Sequence, residues 1–149
     1  MRAIYFDMDG TLANFYGVPN WLNYLVDANP HPYAVAEPLV DVEEFVRLIN
    51  KLKAKGWKIG VITWLAKNAK RTFNKKVAVV KKEWLNDTFG KIFDEIIITT
   101  YGLPKNNFGD IEDILFDDEK QNRDNWFGTA YDKKNIIEVL KKLDRIRKV

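Results

Sequence analysis

The stretch Ala3-Ile4-Tyr5-Phe6-Asp7-Met8-Asp9-Gly10-Thr11-Leu12 decides the fold and holds the first recognisable chemistry of the chain. It is an apolar, strand-like run that ends in two carboxylates one residue apart, followed by a turn glycine and a hydroxyl. Because residues i and i+2 of a strand emerge on the same side, Asp7 and Asp9 can be aimed at one point. Two carboxylates this close repel each other unless a cation or a shared proton relieves them. Mg²⁺, which takes oxygen ligands and accompanies phosphates, is the cation that we expect there.

Three later stretches repeat this arrangement of an apolar strand followed by a polar side chain. Residues 58–63 end at the hydroxyl of Thr63, residues 95–99 precede a predicted turn with Lys105, and residues 113–118 end in Asp117 and Asp118. Each polar residue taken alone has a structural explanation, such as a strand threonine, a solvated loop lysine or an acidic turn. Together they would lie at the carboxyl ends of parallel strands, which is where open α/β sheets bind ligands.

The opening stretch resembles motif I of the haloacid dehalogenase-like superfamily, an apolar strand followed by Asp-x-Asp-Gly-Thr. The later stretches resemble motifs II, III and IV of that family at Thr63, Lys105 and the Asp117-Asp118 pair, in the family's order along the chain. Lys67 and Lys70, which follow Thr63 closely, compete with Lys105 as the motif III lysine.

The resemblance implies a Mg²⁺-dependent phosphatase that works through an aspartyl-phosphate. Asp7 would be the nucleophile, and Asp9 would protonate the leaving group and then activate water. Thr63 and Lys105 would hold the phosphoryl group, and we place Trp64 beside them among the substrate-binding residues. The implied metal ligands are Asp7, Asp9 through its backbone carbonyl, Asp117 and Asp118.

The order of elements predicts an α/β fold, a three-layer Rossmann-like parallel sheet with helices on both faces. With 149 residues, 46% of them hydrophobic, the chain is expected to form a single haloacid dehalogenase-like catalytic domain over residues 1–149. A helix is predicted from its N-cap Asp41 to Gly56, two helical stretches within residues 67–89, and a last helix after its N-cap Asp132. The buried face of that last helix is predicted to comprise Ile136, Ile137, Leu140, Leu143 and Ile146.

Several classes of protein are excluded or disfavoured by composition. The chain has no cysteine, so neither a disulfide framework nor thiolate chemistry is available to it. It shows no signal peptide and no apolar run of membrane-spanning length, so we expect a cytoplasmic protein with no membrane partner. The sequence does not specify an oligomeric state.

The segment between motifs I and II predicts a minimal helical cap at about residues 13–40. The helix from Asp41 leaves roughly thirty residues for this insertion, too few for an independent domain. One short helix is predicted around Trp21 to Leu25, and His31, which lies between two prolines, is expected in a loop. The aromatic residues of the insertion either pack it onto the body or stack on a nucleotide base.

A closer resemblance, to the 5′(3′)-deoxyribonucleotidase branch, points to a nucleotide as the phosphate monoester. It rests on the opening motif through Phe15, the short interval from Lys105 to Asp117, and residues 84–93. Trp126 corresponds to a tryptophan that the branch has after its Asp-Asp motif. The chain departs from the branch at Thr11 and in its shorter cap.

The distribution of charge favours an alternative class of partner. Residues 51–82 contain no Asp or Glu but many lysines, and the net charge is +3. Such a run is usually a solvated face. Beside a shallow site it could instead bind nucleic-acid phosphates, as in a polynucleotide-end phosphatase or a Mg²⁺-dependent nucleic-acid-binding protein. Phosphotransfer to a sugar instead of water also stays open.

Overall fold

A five-stranded, all-parallel sheet organises the computed structural model, which describes residues 2–146. The strands are β1 (Ala3–Phe6), β2 (Lys58–Trp64), β3 (Glu95–Thr99), β4 (Ile114–Phe116) and β5 (Thr129–Tyr131), arranged in the order β3-β2-β1-β4-β5. The helices are α1 (Trp21–Val26), α2 (His31–Val35), α3 (Val42–Ala54), α4 (Arg71–Phe89), α5 (Lys120–Asp124) and α6 (Ile136–Arg145). The α/β fold with helices on both faces of a parallel sheet is therefore confirmed.

The register of the three central strands brings the polar residues after them together. Phe6 of β1 pairs with Val61 of β2 on one side and with Phe116 of β4 on the other. The residues after β1 and β4, Asp7 and Asp117, consequently leave the sheet at the same level. Thr63 lies two residues beyond Val61, at the same edge of the sheet.

The main core lies on the face of the sheet covered by α3, α4 and α6. Alternate residues of β1, Ile4 and Phe6, point into it and are fully buried. The predicted N-cap of α3 is confirmed, because the Asp41 side chain accepts a 3.0 Å hydrogen bond from the Glu44 amide. The apolar face of α3 that packs here comprises Phe45, Leu48, Ile49 and Leu52.

The opposite face of the sheet carries a smaller apolar cluster, which includes Trp126, just after α5, and Phe108 of a 3₁₀ turn at Lys105–Phe108. Tyr5 of β1 packs here against the edge of Trp126, with ring centroids 6.0 Å apart. Trp126 also donates through Nε1 to the Asp113 carbonyl at 3.0 Å. The tryptophan that the nucleotidase resemblance singled out therefore packs in this second cluster.

Four predictions about helices were wrong in detail. Residues 71–89 form one helix instead of two stretches, since no glycine or proline interrupts them. The insertion holds two short helices instead of one, and His31 begins the second, where Pro32 is tolerated because first-turn amides need no partner. Ile146 is 60% exposed because α6 ends at Arg145, although Ile136 and Leu140 are buried as predicted.

The insertion after β1 is closed at its base by a short pairing of two chain segments. The Asn14 amide donates to the Glu37 carbonyl, and the Leu39 amide donates to the Leu12 carbonyl, each at 2.8 Å. We call residues 14–37, which hold α1 and α2, the cap. Within residues 2–146, no helix combines the length and the apolar character needed to cross a membrane.

Helix α4 joins the cap to the body of the molecule. Phe73 and Val77 in its first half pack with Phe15 and Tyr33 of the cap. Its second half packs in the main core, through Trp84, Leu85 and Phe89. The helix therefore has one half in each of two apolar clusters, and its middle lies at the carboxyl ends of β1 and β2.

Candidate active site

Asp7, which directly follows β1, lies at the centre of the candidate site. Its amide donates to the Phe116 carbonyl at 2.8 Å, so the neighbouring strand places Asp117 beside it. The Lys105 ammonium bridges the two side chains, donating to Asp7 Oδ1 at 2.7 Å and to Asp117 Oδ2 at 2.8 Å. Burial disfavours the charged form of Lys105, but the two carboxylates outweigh it and raise the pKa of Lys105 above its ordinary value.

The structure places the three competing lysines differently. Lys105 is the one that reaches both carboxylates, and its side chain is only 3% exposed. Lys67 is exposed at the rim of the pocket, with Nζ 5.7 Å from the centre of the Tyr101 ring. Lys70 is exposed at the N-cap of α4. Of the three lysines, Lys105 is therefore the one that the structure places between the carboxylates of the candidate site.

Asp118 joins Asp7 and Asp117 in an acidic cluster, and Thr11 and Gly10 of the opening motif hold it there. The hydroxyl of Thr11 lies 2.9 Å from Asp7 Oδ2 and 3.1 Å from Asp118 Oδ1. Gly10 has a φ of +85°, and a Cβ atom at Gly10 would lie 2.6 Å from Asp118 Oδ2. The glycine therefore allows both the left-handed turn and the close approach of Asp118.

Asp7, Asp117 and Asp118 form an arrangement that fits a divalent cation. Each can offer a carboxylate oxygen, and these oxygens all lie within 4.8 Å of one another. Burial and the charge of Asp7 raise the pKa of Asp117 to about 6. Burial and contact with Asp7 raise the pKa of Asp118 to about 7. A hard cation such as Mg²⁺ would offset the repulsion that these shifts reflect.

Helix α5 supports the turn that carries Asp117 and Asp118. Asn122 donates through Nδ2 to Asp117 Oδ2 at 3.0 Å, and Arg123 donates through Nη1 to the carbonyls of Asp117 and Asp118, each at 3.0 Å. Neither supporting residue was predicted from the sequence. Their position, one helical turn beyond the acidic pair, is the signal that could have identified them.

Asp9 faces a different partner from Asp7. Lys81 of α4, whose side chain is fully buried, donates from Nζ to Asp9 Oδ2 and Thr63 Oγ1, each at 2.7 Å, and to the Trp64 carbonyl at 2.6 Å. Burial raises the pKa of Asp9 above its ordinary value, although Lys81 opposes the shift. Asp9 Oδ1 is buried and has no hydrogen-bond partner within residues 2–146.

Lys81 was not predicted from the sequence, because it lies in a lysine-rich run that suggests a solvated face. The signal that could have identified it is its helical spacing. Phe73, Val77, Lys81 and Leu85 follow one another at intervals of four residues, and all four are buried. A lysine on the buried stripe of a helix needs polar partners, because burying an unpaired ammonium is costly.

A pocket of about 570 Å³ opens above these groups. Asp7, Asp9, Thr63 and Lys105 line its floor. One wall is formed by Trp64 and Tyr101, whose ring centroids lie 5.1 Å apart. A second part of the lining belongs to the cap and includes Phe15, Tyr16, Trp21, Leu22, Leu25 and Tyr33. The predicted substrate-binding residues Thr63, Trp64 and Lys105 therefore share one cavity.

The lysines of residues 51–82 do not form one surface. Four of them lie towards the amino end of β2, away from the pocket, and form ion pairs with acidic residues elsewhere in the chain. These pairs are Lys51 and Lys55 with Asp144, Lys53 with Asp94, and Lys58 with Glu95. Lys67, Lys70 and Arg71 lie at the other end of β2, before and at the start of α4.

Comparisons with known proteins return no match, either among protein-family models or among curated proteins.

Proposed function

We propose that the protein is a Mg²⁺-dependent phosphoric monoester hydrolase that forms an aspartyl-phosphate on Asp7, like the haloacid dehalogenase-like phosphatases that its motifs resemble. One observation carries the proposal: the Asp7 carboxylate lies on the floor of a pocket, bridged by the Lys105 ammonium to Asp117. Carboxylates act as nucleophiles in covalent catalysis, and a cation beside them suits a phosphate substrate.

In the first step, a carboxylate oxygen of Asp7 attacks phosphorus while the bond from phosphorus to the leaving oxygen breaks. The hydrogen bonds from Lys105 and Thr11 fix the orientation of the nucleophile. Asp9, whose raised pKa favours retention of a proton, transfers that proton to the departing oxygen. The products of this step are an alcohol and the aspartyl-phosphate.

In the second step, Asp9 takes a proton from a water molecule as that water attacks phosphorus. The bond between Asp7 and phosphorus breaks, which regenerates the carboxylate and releases inorganic phosphate. Asp9 is left protonated for the next cycle.

The phosphoryl oxygens need positive charge and hydrogen-bond donors throughout. Thr63 and Lys105 face the pocket, and each such donor is worth about 10²- to 10³-fold in rate. When bound, Mg²⁺ would neutralise phosphoryl charge as a Lewis acid. Asp7, Asp117 and Asp118 would hold it.

The pocket supports a nucleotide-like substrate. Its volume of about 570 Å³ falls within the range of about 300 to 1,000 Å³ that is usual for small-molecule sites. Its aromatic lining suits a leaving group with a flat ring, such as the base of a nucleoside, and Lys105 and Thr63 on its floor suit the phosphate. We therefore favour a nucleotidase-like activity.

A screen of phosphate monoesters tests the proposal. It should contain nucleoside 5′- and 3′-monophosphates, sugar phosphates, and oligonucleotides phosphorylated at either end, each with Mg²⁺ and with EDTA. We expect EDTA-sensitive release of phosphate, greatest for a nucleoside monophosphate. Hydrolysis that EDTA leaves unchanged would refute the metal site. No hydrolysis of any monoester would refute the function.

A polynucleotide-end phosphatase is the second candidate, and Lys67 at the pocket rim is the observation that favours it. A single strand that crosses Lys67, Lys70 and Arg71 would release counterions, with a slope of log affinity against log salt of about −0.7 per phosphate. Under the nucleotidase proposal, changing all three to Gln leaves kcat/KM for mononucleotides nearly unchanged. The matched control changes three exposed residues of α4, Lys75, Lys76 and Lys82, to Gln. A steep salt dependence on oligonucleotides that only the first triple variant loses would reverse our preference.

A further inference from the structure

Lys81 occupies a position in α4 that is unusual for a lysine. It lies between Val77, which packs against the cap, and Leu85, which packs in the main core. Its side chain is fully buried. Burial of an ammonium is tolerated when every N–H donor has an acceptor, and Lys81 has three donors and three acceptors.

The three acceptors of Lys81 belong to the ends of two neighbouring strands. Asp9 follows β1, whereas Thr63 and the Trp64 carbonyl are at the end of β2. Asp9 is the acid/base in the reaction proposed above, and Thr63 is a donor to the phosphoryl group. One ammonium therefore contacts two groups that must act on opposite sides of the same phosphorus–oxygen bond.

Each contact constrains how its acceptor can act. Asp9 Oδ2 is occupied by Lys81, whereas Oδ1 has no hydrogen-bond partner within residues 2–146. Oδ1 is consequently the Asp9 oxygen whose hydrogen-bonding capacity is unused, and it is the one that Lys81 leaves free to carry the proton. Thr63 Oγ1 accepts from Lys81, so the hydroxyl hydrogen of Thr63 is free to point elsewhere, towards a phosphoryl oxygen.

We propose that Lys81 is a positioning residue for the reaction: it fixes the Asp9 carboxylate through Oδ2 and directs the Thr63 hydroxyl towards the phosphoryl group. This inference rests on the proposed function. It assigns Lys81 a role through Asp9 and Thr63, without contact with the substrate.

A positioning role has a kinetic consequence that a purely structural role lacks. Proton transfer to the leaving oxygen matters greatly for an alkoxide such as a nucleoside, and little for dinitrophenolate, which departs without help. Loss of Lys81 should therefore slow phosphorylation by a nucleoside monophosphate more than phosphorylation by 2,4-dinitrophenyl phosphate. A lysine that only held the fold together would affect both substrates alike.

The kinetic test uses Lys81→Met, which keeps an unbranched side chain and removes the ammonium. Lys82→Met, the exposed neighbour on α4, is the matched control. We expect Lys81→Met to lower kcat for the best nucleoside monophosphate by about 100-fold, at the low end of what general acid catalysis contributes. The initial burst of dinitrophenolate should slow by less than about tenfold. Equal losses for the two substrates would overturn the proposal, and Lys82→Met should match the wild type.

A second measurement does not depend on activity. Lys81→Met leaves the largely buried Asp9 carboxylate, which is 18% exposed, without its ammonium partner. Adding Asp9→Asn should therefore raise the Tm of that variant, whereas Asp9→Asn should lower the Tm of the wild type. Additive Tm changes would overturn the proposal.

An inactive wild type with non-additive Tm changes would refute the proposed function and leave the Lys81–Asp9 contact supported. If Lys81→Met does not fold, Lys81→Gln, which keeps an N–H donor, serves for both measurements.

Discussion

At the scale of single residues, the candidate site is built from contacts between distant parts of the chain. Asp7 receives hydrogen bonds from Thr11 in its own loop and from Lys105 in the connection between β3 and β4. Gly10 allows Asp118 to lie close to the opening loop, because a glycine has no side chain to collide with that carboxylate. Each of these positions affects the acidic cluster without belonging to the apolar core.

Gly10→Ala tests the packing of the acidic cluster. The added methyl group would collide with Asp118, whose Oδ2 lies 2.6 Å from the position of that Cβ atom. We expect Asp118 to move, so that a higher Mg²⁺ concentration, by about tenfold or more, is needed for half-maximal activity. A titration of activity against Mg²⁺ measures this change.

Gly90→Ala is the matched control for that experiment. Gly90 also has a positive φ, +77°, but nothing lies within 4 Å of the position of its Cβ atom. Both variants carry backbone strain, because side chains disfavour a positive φ, whereas only Gly10→Ala should change the response to Mg²⁺. The same Mg²⁺ response in both variants would mean that Gly10 is required only for its backbone conformation.

At the scale of elements, α4 couples the cap to the core. Its two halves lie in different apolar clusters, so substitutions in each half should have different effects. Val77 packs against the cap and does not line the pocket, whereas Leu85 packs against the sheet, and both are fully buried.

Val77→Ala and Leu85→Ala separate docking of the cap from stability of the core. Leu85→Ala should lower the free energy of unfolding by about 2 to 5 kcal/mol, because it leaves a cavity in the main core. Val77→Ala should destabilise less and mainly raise KM, because it loosens the cap wall of the pocket. Denaturant unfolding and steady-state kinetics measure the two effects.

Val79→Ala, at a position 57% exposed on the same helix, should change the free energy of unfolding by less than about 0.5 kcal/mol and leave KM unchanged. If Val77→Ala leaves KM at the wild-type value, the cap does not form the substrate wall.

Elements differed in how well the sequence predicted them, for physical reasons. Strands β1 to β4 were predictable because buried parallel strands are short apolar runs that end in polar residues. Strand β5 was not predicted, because Thr129–Tyr131 is only three residues long and partly exposed. The number of cap helices was wrong, since helices this short depend on tertiary packing more than on local propensity.

The candidate site was predictable to the extent that its residues follow strands. Asp7, Thr63 and Asp117 were placed correctly at one edge of the sheet because strand register alone brings them together. Lys81 approaches from the middle of a helix, where local sequence suggests solvent exposure. Its partners became evident only from the path of α4 over the strand ends.

At the scale of the whole molecule, the concentration of carboxylates at one edge of the sheet makes stability depend on pH and metal. The pKa values of Asp117 and Asp118 rise from 3.8 to about 6 and about 7. The folded protein therefore binds more protons than the unfolded chain between about pH 4 and pH 7. The stability contributed by these protons is fully present below pH 3.8 and is lost as the pH rises through about 6 and 7.

Thermal unfolding at several pH values checks this expectation. In EDTA, Tm should fall by a few degrees as the pH rises from 5 to 8. Added Mg²⁺ should raise Tm more at pH 8 than at pH 5, because protons and the metal compete for the same oxygens. Asp118→Asn should weaken both trends. A Mg²⁺-induced increase in Tm that is equal at pH 5 and pH 8 would contradict the assignment of the acidic cluster as the metal site.

A covalent phosphoryl group on Asp7 is the defining intermediate of the proposed mechanism, and borohydride trapping detects it. Asp9→Asn should accumulate the intermediate from p-nitrophenyl phosphate, since the leaving group departs without an acid whereas water attack lacks its base. Borohydride reduces an aspartyl-phosphate to homoserine, which mass spectrometry of the peptide locates. We expect homoserine at position 7 alone, in Mg²⁺ but not in EDTA, and none when Asp7→Asn is added. Turnover by the wild type with no trapped group at position 7, or with one at another carboxylate, would refute Asp7 as the nucleophile.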